Sequence, residues 1–543
     1  MHEAAYLLAL FALLSQLLAL LRDHLLAASF GAGHTLDLYY AAFRIPDFLF
    51  ATVASLLSLY ALLPVISALE AEHPGLVISF LRRTLLSFFI GFSGIAALAF
   101  IWTPHILALA VPGLAGDPQL IMLTRILLLQ PLLLGLSNIL ANLTQLRHRF
   151  LLYAISPLLY NLGIILGVVF LYPVMGPMGL AWGVVLGALM HAVIQVPFFT
   201  REGEGEVLPW KRFFPMLRDV LLLSVPRTLS LSAGQISLFI IVAMASLLSA
   251  GSISVFTFAW NLQGVPLAII GVSYSVAAFP TLSRLFARGE QAVFAEHITS
   301  ALRHVVFWSL HAMVFVIVLR AHMVRAILGS GEFDWSATRL VAAALALFIT
   351  ALLAQSGSLL IARTYYAAGQ TLRPFLYGLI DVCVSILSSV LLVGLFTHSA
   401  FVRAFIESLL RVEDVPGSPV LMLALGLALG SIAEFLVGYW FFVRDFKLRL
   451  NASRLLFETS AGAILGGAAT YQTLRFFPPV VSTTASGILV QGFVAGTAGL
   501  FVTGVVLWLL KNREFSEVLE ALERRFKDAR GITVEPTDIA SVQ

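Results

Sequence analysis

The chain has 543 residues, of which 59% are apolar and only 11% are charged, with a net charge of +4. A soluble domain carries roughly a quarter charged residues, because its surface must be covered by groups that water solvates. The scarcity of charge therefore excludes an ordinary water-soluble enzyme and a disordered chain, and it indicates a polytopic membrane protein. The single cysteine, Cys383, excludes an intramolecular disulfide and a cysteine-based metal cluster.

Apolar runs of membrane-spanning length, separated by Gly, Pro or charged clusters, predict fourteen helices. The runs are 5–29, 37–68, 78–104, 118–145, 150–172, 177–199, 214–248, 252–286, 292–319, 337–368, 371–396, 418–443, 454–474 and 484–510. The first run has no Lys or Arg before Arg22, unlike the basic start of a signal peptide, so we expect it to be retained. Pro46 is expected to break the second helix, because proline cannot donate a backbone hydrogen bond.

Basic residues alternate between successive loops, which predicts the orientation of the chain. Most of the 33 Lys and Arg fall in every second loop and in the C-terminal tail. Lys and Arg are retained in cytoplasmic loops, so an even number of spans with this bias predicts that both termini are cytoplasmic. The loops expected outside hold six arginines: Arg320, Arg325, Arg339, Arg403, Arg411 and Arg475.

Three pairs of short segments are separated by nearly the same number of residues, which indicates an internal repeat. The pairs are 29–33 with 248–252, 62–67 with 278–283, and 157–160 with 374–377. An offset of six helices predicts two six-helix lobes of the same orientation, an architecture of secondary transporters with the substrate site between the lobes. The predicted division is a first lobe 1–200, a cytoplasmic linker 201–213, a second lobe 214–450, a final helix pair 451–511 and a tail 512–543. Apolar residues at helical spacing make that tail an amphipathic helix, either on the inner membrane surface or simply solvated.

Ionisable residues inside predicted spans indicate a substrate or ion path, because burying charge in a bilayer is costly. Five of them cluster in the first two helices: Arg22, Asp23, Asp37, Arg44 and Asp47. Guanidinium groups suit an anionic, phosphate-bearing lipid substrate, and neighbouring carboxylates can orient them while the site is empty. The alternative is that these residues pair or snorkel at helix ends.

A second polar group lies late in the chain, where Asp381 precedes Ser385 by one helical turn and Glu434 lies in the next span. These residues are candidates for cation or proton coupling, or for structural pairing between helices. The histidines lack metal-ligand spacing and the Gly-rich segments lack a P-loop lysine, so we expect no metal, no cofactor and no ATPase activity. Transport would then be driven by a gradient, the membrane potential or substrate supply.

Several motifs, in order and at matching spacing over about 30–375, resemble the MurJ (MviN) family. The resembling segments are 21–33 with Asp37, 42–47, 63–64, 147–150, 157–161, 234–237, 247–254, 280–284, 331–334 and 362–371 with Pro374. The resemblance implies fourteen helices in two lobes plus two, and a flippase of the multidrug/oligosaccharidyl-lipid/polysaccharide superfamily that moves lipid II across the bacterial cytoplasmic membrane by alternating access. It places Arg22 and Asp37 in the family's central cavity.

Other functional positions of the family hold different residues here. Its earlier cavity arginine falls on Gln16, its arginine pair on Phe50 and Ala51, its Glu-Gly on Ser55 and Leu56, its eighth-helix arginine on Asn261, and a sodium-binding acid on Ile241. The scaffold is kept while the pocket is altered, and Asn261 remains a candidate substrate ligand.

The leading interpretation is therefore a divergent lipid II flippase, not an enzyme, with Arg22, Asp37 and Arg44 lining the cavity. Its expected partners are a lipid-linked diphosphate glycan, membrane lipids and candidate cell-wall synthesis proteins, with no nucleic acid, and we expect a monomer. Two alternative interpretations stay open: an exporter of another lipid-linked polysaccharide or of drugs, and a membrane scaffold that no longer transports. The outside loop at 397–417 is either a docking element or a tolerated insertion.

Overall fold

The computed structural model describes residues 2–57, 59–147, 149–196, 206–448, 453–479 and 484–529, and all regular structure within these ranges is helical. In chain order the α-helices are α1 His2–Phe30, α2 His34–Ala42, α3 Arg44–Thr52, α4 Leu59–Glu72, α5 Val77–Ala110, α6 Pro118–Leu127, α7 Leu129–Leu146, α8 Phe150–Leu166, α9 Tyr172–Met175, α10 Pro177–Val193, α11 Trp210–Ser246, α12 Ser252–Leu267, α13 Ser273–Ala287, α14 Gln291–Leu328, α15 Trp335–Ile349, α16 Leu352–Ala367, α17 Leu372–His398, α18 Ala400–Leu410, α19 Val420–Phe446, α20 Ser453–Leu474, α21 Ala485–Leu509 and α22 Arg513–Ala529.

The predicted spans coincide with helices, but several spans are made of more than one. Within the described residues, nine helices are long and apolar enough to cross a membrane, or ten if α15 and α16, bent by 45° to each other, count as one span. The second predicted span is divided into α2, α3 and α4, and the sixth predicted span has only the 17 residues of α10. Interrupted and short helices are not long enough on their own to be counted as membrane spans, so the total of fourteen spans stays a prediction.

The break expected at Pro46 is present. Helix α2 ends at Ala42, four residues before this proline, and α3 starts at Arg44. Proline removes one hydrogen bond of a helix and its ring clashes with the carbonyl four residues earlier, so the chain bends there. The bend sets Arg44 and Asp47 on a separate short helix beside the inter-lobe space.

Two segments differ from the sequence expectations. Helix α11 already begins at Trp210, inside the stretch expected to be a linker, because Pro209 precedes its first turn and the ring of Phe213 is fully buried. The segment 397–417, expected to be an outside loop, contains the amphipathic helix α18. Ser399 caps this helix by accepting a hydrogen bond from the Val402 amide.

The two lobes repeat each other in detail. Asp117 and Asp334, separated by the offset of the sequence repeat, both cap the helix that follows them through a side-chain oxygen, at 2.7 Å from the amides of Gln119 and Ala337. Both capped helices are then interrupted, after Leu127 and after Ile349. The shared cap and break confirm the two-lobe architecture.

The packing closes the space between the lobes at one end. The largest apolar cluster contains residues of both lobes and lies toward the end that carries the loops 31–33, 111–117, 247–251 and 329–334, which we call the closed end. Toward the other end, one cluster belongs to the first lobe and the start of α11, and another belongs to the second lobe alone. The lobes therefore share one core at the closed end, and toward the other end α11 also packs against the first lobe, where Oγ of Ser224 donates to the carbonyl oxygen of Leu56 at 2.7 Å.

Candidate substrate cavity

A cavity of about 230 Å³ lies between the lobes next to the shared core. Five elements of the first lobe and α12 of the second contribute to its wall. The lining residues are Arg22, Leu26, Tyr39, Tyr40, Phe43, Arg44, Asp47, Gln130, Tyr160, Ile164, Thr257 and Asn261. Arg22, Arg44 and Asn261 of the predicted set thus come together in one place.

Arg22 is held on both sides. Its Nε and Nη2 donate to Oδ1 of Asp23 at 3.0 and 2.8 Å, and its Nη1 donates to Oδ1 of Asn161 at 3.1 Å. The other carboxylate oxygen of Asp23 accepts a hydrogen bond from Nδ2 of Asn261 at 3.0 Å. Asp23 therefore both orients the arginine and links α1 of the first lobe to α12 of the second.

The guanidinium of Arg44 makes fewer hydrogen bonds than that of Arg22. Its Nη2 lies 3.6 Å from Oδ2 of Asp47, its side chain is 11% exposed, and its Nε has no hydrogen-bond partner. The hydroxyl of Tyr40 and Oε1 of Gln130 are likewise buried without a partner. Buried polar atoms without partners are costly, and at a cavity wall they are positions that a ligand or water completes.

The charges of the cavity balance in this conformation. Arg22 is neutralised by Asp23, and Arg44 by Asp47. An anionic substrate would have to take guanidinium donors that now face carboxylates. This pairing is the arrangement expected for arginines that must stay oriented in an empty site.

Asp37 does not line this cavity, in contrast to the sequence expectation. Its carboxylate accepts three hydrogen bonds from the second lobe: from the amide of Gly251 at 2.6 Å, and from the amide and the hydroxyl of Ser254 at 2.8 and 2.7 Å. The side chain is 3% exposed and acts as a cap on the first turn of α12. The structure places Asp37 in the contact that joins the lobes at the closed end.

The closed end has two further contacts related by the repeat. The amide of Glu332 donates to the carbonyl oxygen of Ala28 at 2.9 Å, and the amide of Gly113 donates to Oγ of Ser246 at 3.1 Å. In both, the loop after a lobe's third predicted span reaches the end of the other lobe's first. The close approach explains glycine at 113, since a Cβ there would lie 1.8 Å from the Ser246 carbonyl oxygen.

Asp381, Ser385 and Glu434 form a separate cluster inside the second lobe. Oγ of Ser385 donates to Oδ1 of Asp381 at 3.3 Å, and both pack against Gly430 of α19, one turn before Glu434. A polar path approaches this cluster from α12, since Gln263 donates to Gln355 at 2.5 Å and Gln355 donates to Ser431 at 3.2 Å.

Sequence reasoning missed the aromatic and amide part of the cavity wall. Tyr39, Tyr40, Gln130 and Thr257 were not singled out, and Tyr160 was noted only as part of a motif, although a glutamine within an apolar run is a recognisable signal of a buried polar role. Two of the altered family positions have apolar surroundings: Phe50 packs against the first-lobe cluster, and Ile241 is fully buried in the shared core.

Two repeated helical lobes, a shared core at one end and a polar cavity between them define an integral membrane transporter of the alternating-access type. Solved structures share the fold. A lipid II flippase MurJ in an inward closed conformation aligns with a TM-score of 0.72 at 19% identity, over 93% of this chain and all of that one. An inward-facing multidrug resistance MATE family transporter of the MOP superfamily aligns with a TM-score of 0.66 at 14% identity, over 80% and 94%.

Sequence comparison identifies the family. The protein-family sequence model described as "Lipid II flippase MurJ" matches residues 26–410. A probable lipid II flippase MurJ of Buchnera aphidicola is 27% identical over 402 residues, which is 72% of this chain and 78% of that protein. The corresponding protein of Rhizobium tropici is 26% identical over 517 residues, covering 91% and 92%. The chain belongs to the MurJ family.

Proposed function

We propose that this protein moves lipid II across the bacterial cytoplasmic membrane by alternating access, as a multi-pass inner-membrane protein with both termini in the cytoplasm. The observation that carries the proposal is the convergence of Arg22 and Arg44 on one inter-lobe cavity, each held by a neighbouring carboxylate. Family membership supports the same conclusion. The proposal includes action as a monomer, with cell-wall synthesis proteins as candidate partners.

The diphosphate of the substrate is the group that the two arginines fit. Nε of Arg44 is free to donate, and Arg22 presents a planar fork that suits two phosphate oxygens. A hydrogen bond to a charged group contributes about 1.5–3 kcal/mol, and loss of the Asp23 and Asp47 contacts offsets part of that gain. Binding thus exchanges carboxylate for phosphate around guanidiniums that already have the right orientation.

Substrate release requires the closed end to separate. The amides of Gly251 and Ser254 must exchange the Asp37 carboxylate for water, and the flanking loop contacts must break. With cytoplasmic termini, the closed end faces outward, so the substrate leaves through it. Asp37 therefore acts in the gate rather than as a substrate ligand.

The cluster of Asp381, Ser385 and Glu434 is our candidate for coupling to an ion or proton gradient. Two carboxyl groups on adjacent helices repel each other when both are ionised, and a cation or a shared proton relieves that repulsion. Their place in the second lobe, joined to α12 by the Gln263–Gln355–Ser431 path, gives the cluster a connection to the cavity-lining helix.

The test is rescue of cells depleted of their lipid II flippase. We expect the wild-type gene to restore growth and Arg22→Ala to abolish rescue at unchanged membrane abundance, because the cavity then holds Asp23 without its cation. Arg218→Ala is the matched control, since that exposed arginine pairs only with its neighbour Asp219 in the described part of the chain. Failure of well-expressed wild-type protein to rescue would contradict the proposal.

A second cargo is favoured by one observation: Asn261 supplies an amide where the family has an arginine, which leaves the cavity without net charge. If the substrate is a drug without a phosphate group, Asn261→Arg should impair its transport, whereas another lipid-linked glycan, which also carries phosphate, should respond as lipid II does. If the substrate is lipid II, Asn261→Arg adds a guanidinium next to Asp23 and should tighten binding by about 1.5 kcal/mol or more. Translocation of both labelled cargoes in proteoliposomes distinguishes the two.

A further inference from the structure

A second polar cavity, of about 800 Å³, lies between the second lobe and the final helix pair, far along the chain from the inter-lobe site. Its wall is formed by the C-terminal half of α14, the start of α15, the end of α18 and the end of α20 with the residues that follow it. Its polar and aromatic lining includes Arg320, Trp335, Arg339, Arg411, Tyr471 and Arg475. Volumes of roughly 300–1,000 Å³ are typical of ligand sites.

Four of the six arginines expected outside the membrane converge on this cavity: Arg320, Arg339, Arg411 and Arg475. Arginines are depleted from outside loops, so their collection at one site is not explained by topology. The other two have local structural contacts: Arg325 donates to the carbonyl oxygen of Phe333 and Arg403 to that of Thr397, both at 3.0 Å.

The four arginines are only partly engaged by the protein. Arg339 donates to the carbonyl oxygen of Arg411 and pairs with Asp414 at 2.7 Å, and Arg320 donates to the carbonyl oxygen of Ile317 at 2.8 Å. The described residues offer no partner to the guanidiniums of Arg411 and Arg475. One carboxylate thus stands against four guanidiniums, so the cavity keeps a strong positive charge.

Asp414 does not remove that charge at physiological pH. Its hydrogen bond with Arg339 lowers the pKa of its carboxyl group, so it is fully ionised near neutrality and its pairing weakens only as the pH falls through that lowered value. It neutralises one arginine and leaves about three positive charges facing the cavity.

The surroundings are those of a membrane interface. Three of the four wall helices contribute an end, and tryptophan and tyrosine, here Trp335 and Tyr471, are typical of the headgroup level. Helix α18 exposes Phe401, Phe405 and Leu409 along one side, as a helix lying in the interface does. The cavity therefore combines apolar surface for an acyl chain with guanidiniums for a phosphate.

We propose that this cavity, which we call the arginine pocket, binds the phosphate headgroup of an anionic phospholipid of the outer leaflet. Planar guanidiniums bind phosphate oxygens in pairs, and the net positive charge selects an anionic headgroup over a zwitterionic one. The site is separate from the cavity at Arg22 and Arg44, so the proposal does not depend on which substrate is transported.

The test uses the full chain purified in detergent and short-chain lipids below their micellar concentration. We expect dihexanoyl phosphatidylglycerol to raise the thermal unfolding midpoint and dihexanoyl phosphatidylcholine to have a much smaller effect. In the double variant Arg411→Gln/Arg475→Gln, the apparent Kd for phosphatidylglycerol should rise at least tenfold. Arg403→Gln, on the same outside helix but away from the pocket, should retain wild-type affinity.

Further arms distinguish the sources of the phosphate and separate binding from folding. An unchanged unfolding midpoint of the double variant without lipid shows that it folds. If it does not fold, Asp414→Asn provides the second readout, because removing the one carboxylate should tighten phosphatidylglycerol binding. Equal affinity in the double variant, equal loss in Arg403→Gln, or equal binding of phosphatidylcholine overturns the proposal. Stabilisation by inorganic phosphate or pyrophosphate but not by phosphatidylglycerol also overturns it, since the ligand is then a free anion.

Discussion

The contact of Asp37 with the first turn of α12 leads to a prediction about conformational equilibrium. The three hydrogen bonds to its carboxylate contribute about 4–9 kcal/mol before the cost of burying the charge, and that cost removes several kcal/mol. With a mid-range gain of about 7 kcal/mol and a burial cost of about 4–5 kcal/mol, a net of about 2–3 kcal/mol remains. Asp37→Ala should therefore shift the equilibrium away from the closed end by about 30- to 150-fold.

Spin-label distances measure this shift directly. Labels at Gly116→Cys and Glu413→Cys are placed on exposed loops of the two lobes at the closed end, in a Cys383→Ser background because that cysteine is exposed. In the wild type we expect one short distance, and in Asp37→Ala a second, longer distance that becomes populated. Ser254→Ala, which removes one of the three bonds, should give a smaller shift. An identical distance distribution in Asp37→Ala would refute the gating role.

Two further predictions concern close contacts. Gly113→Ala should lower the thermal unfolding midpoint by several degrees, because the added Cβ would overlap the Ser246 carbonyl oxygen. Gly116→Ala, which has open space around it, is the control and should leave the midpoint unchanged. Equal midpoints for the two variants would contradict the close approach at Gly113. Asn512→Ala should release helix α22, because this side chain donates to Glu458 and caps that helix. Limited proteolysis should then cleave before α22 at least tenfold faster, and an unchanged rate would exclude this anchor.

Much of the architecture was predictable because it depends on patterns along the chain. Apolar runs predicted the helices, and the repeat offset predicted two lobes, which the matched caps at Asp117 and Asp334 confirm. The break near Pro46 and the amphipathic helix after Lys511 follow from local chemistry and are also present. The predicted family is confirmed.

The site was predictable only in part, because its partners come from distant segments. Arg22 and Arg44 were selected as embedded charges, and the structure brings them together. Asp37 carried the same signal but pairs with the other lobe, which no local pattern reveals. The arginines expected outside were recognised one loop at a time, and only the packing of α18 and α20 shows that Arg411 and Arg475 face a common cavity.

Asp37 and Ser254 are equivalent positions of the two repeats, 217 residues apart, and they bond to each other. If the two halves descend from a duplicated ancestor, that ancestor had the same residue at both places. Two aspartates there would repel each other and two serines would lose the charged acceptor. Because Asp37 and Ser254 are equivalent residues that bond to each other, the closed end could form this contact only after the two lobes had come to differ at that position. We expect the lobes to differ most at positions near the axis that relates them, where equivalent residues meet.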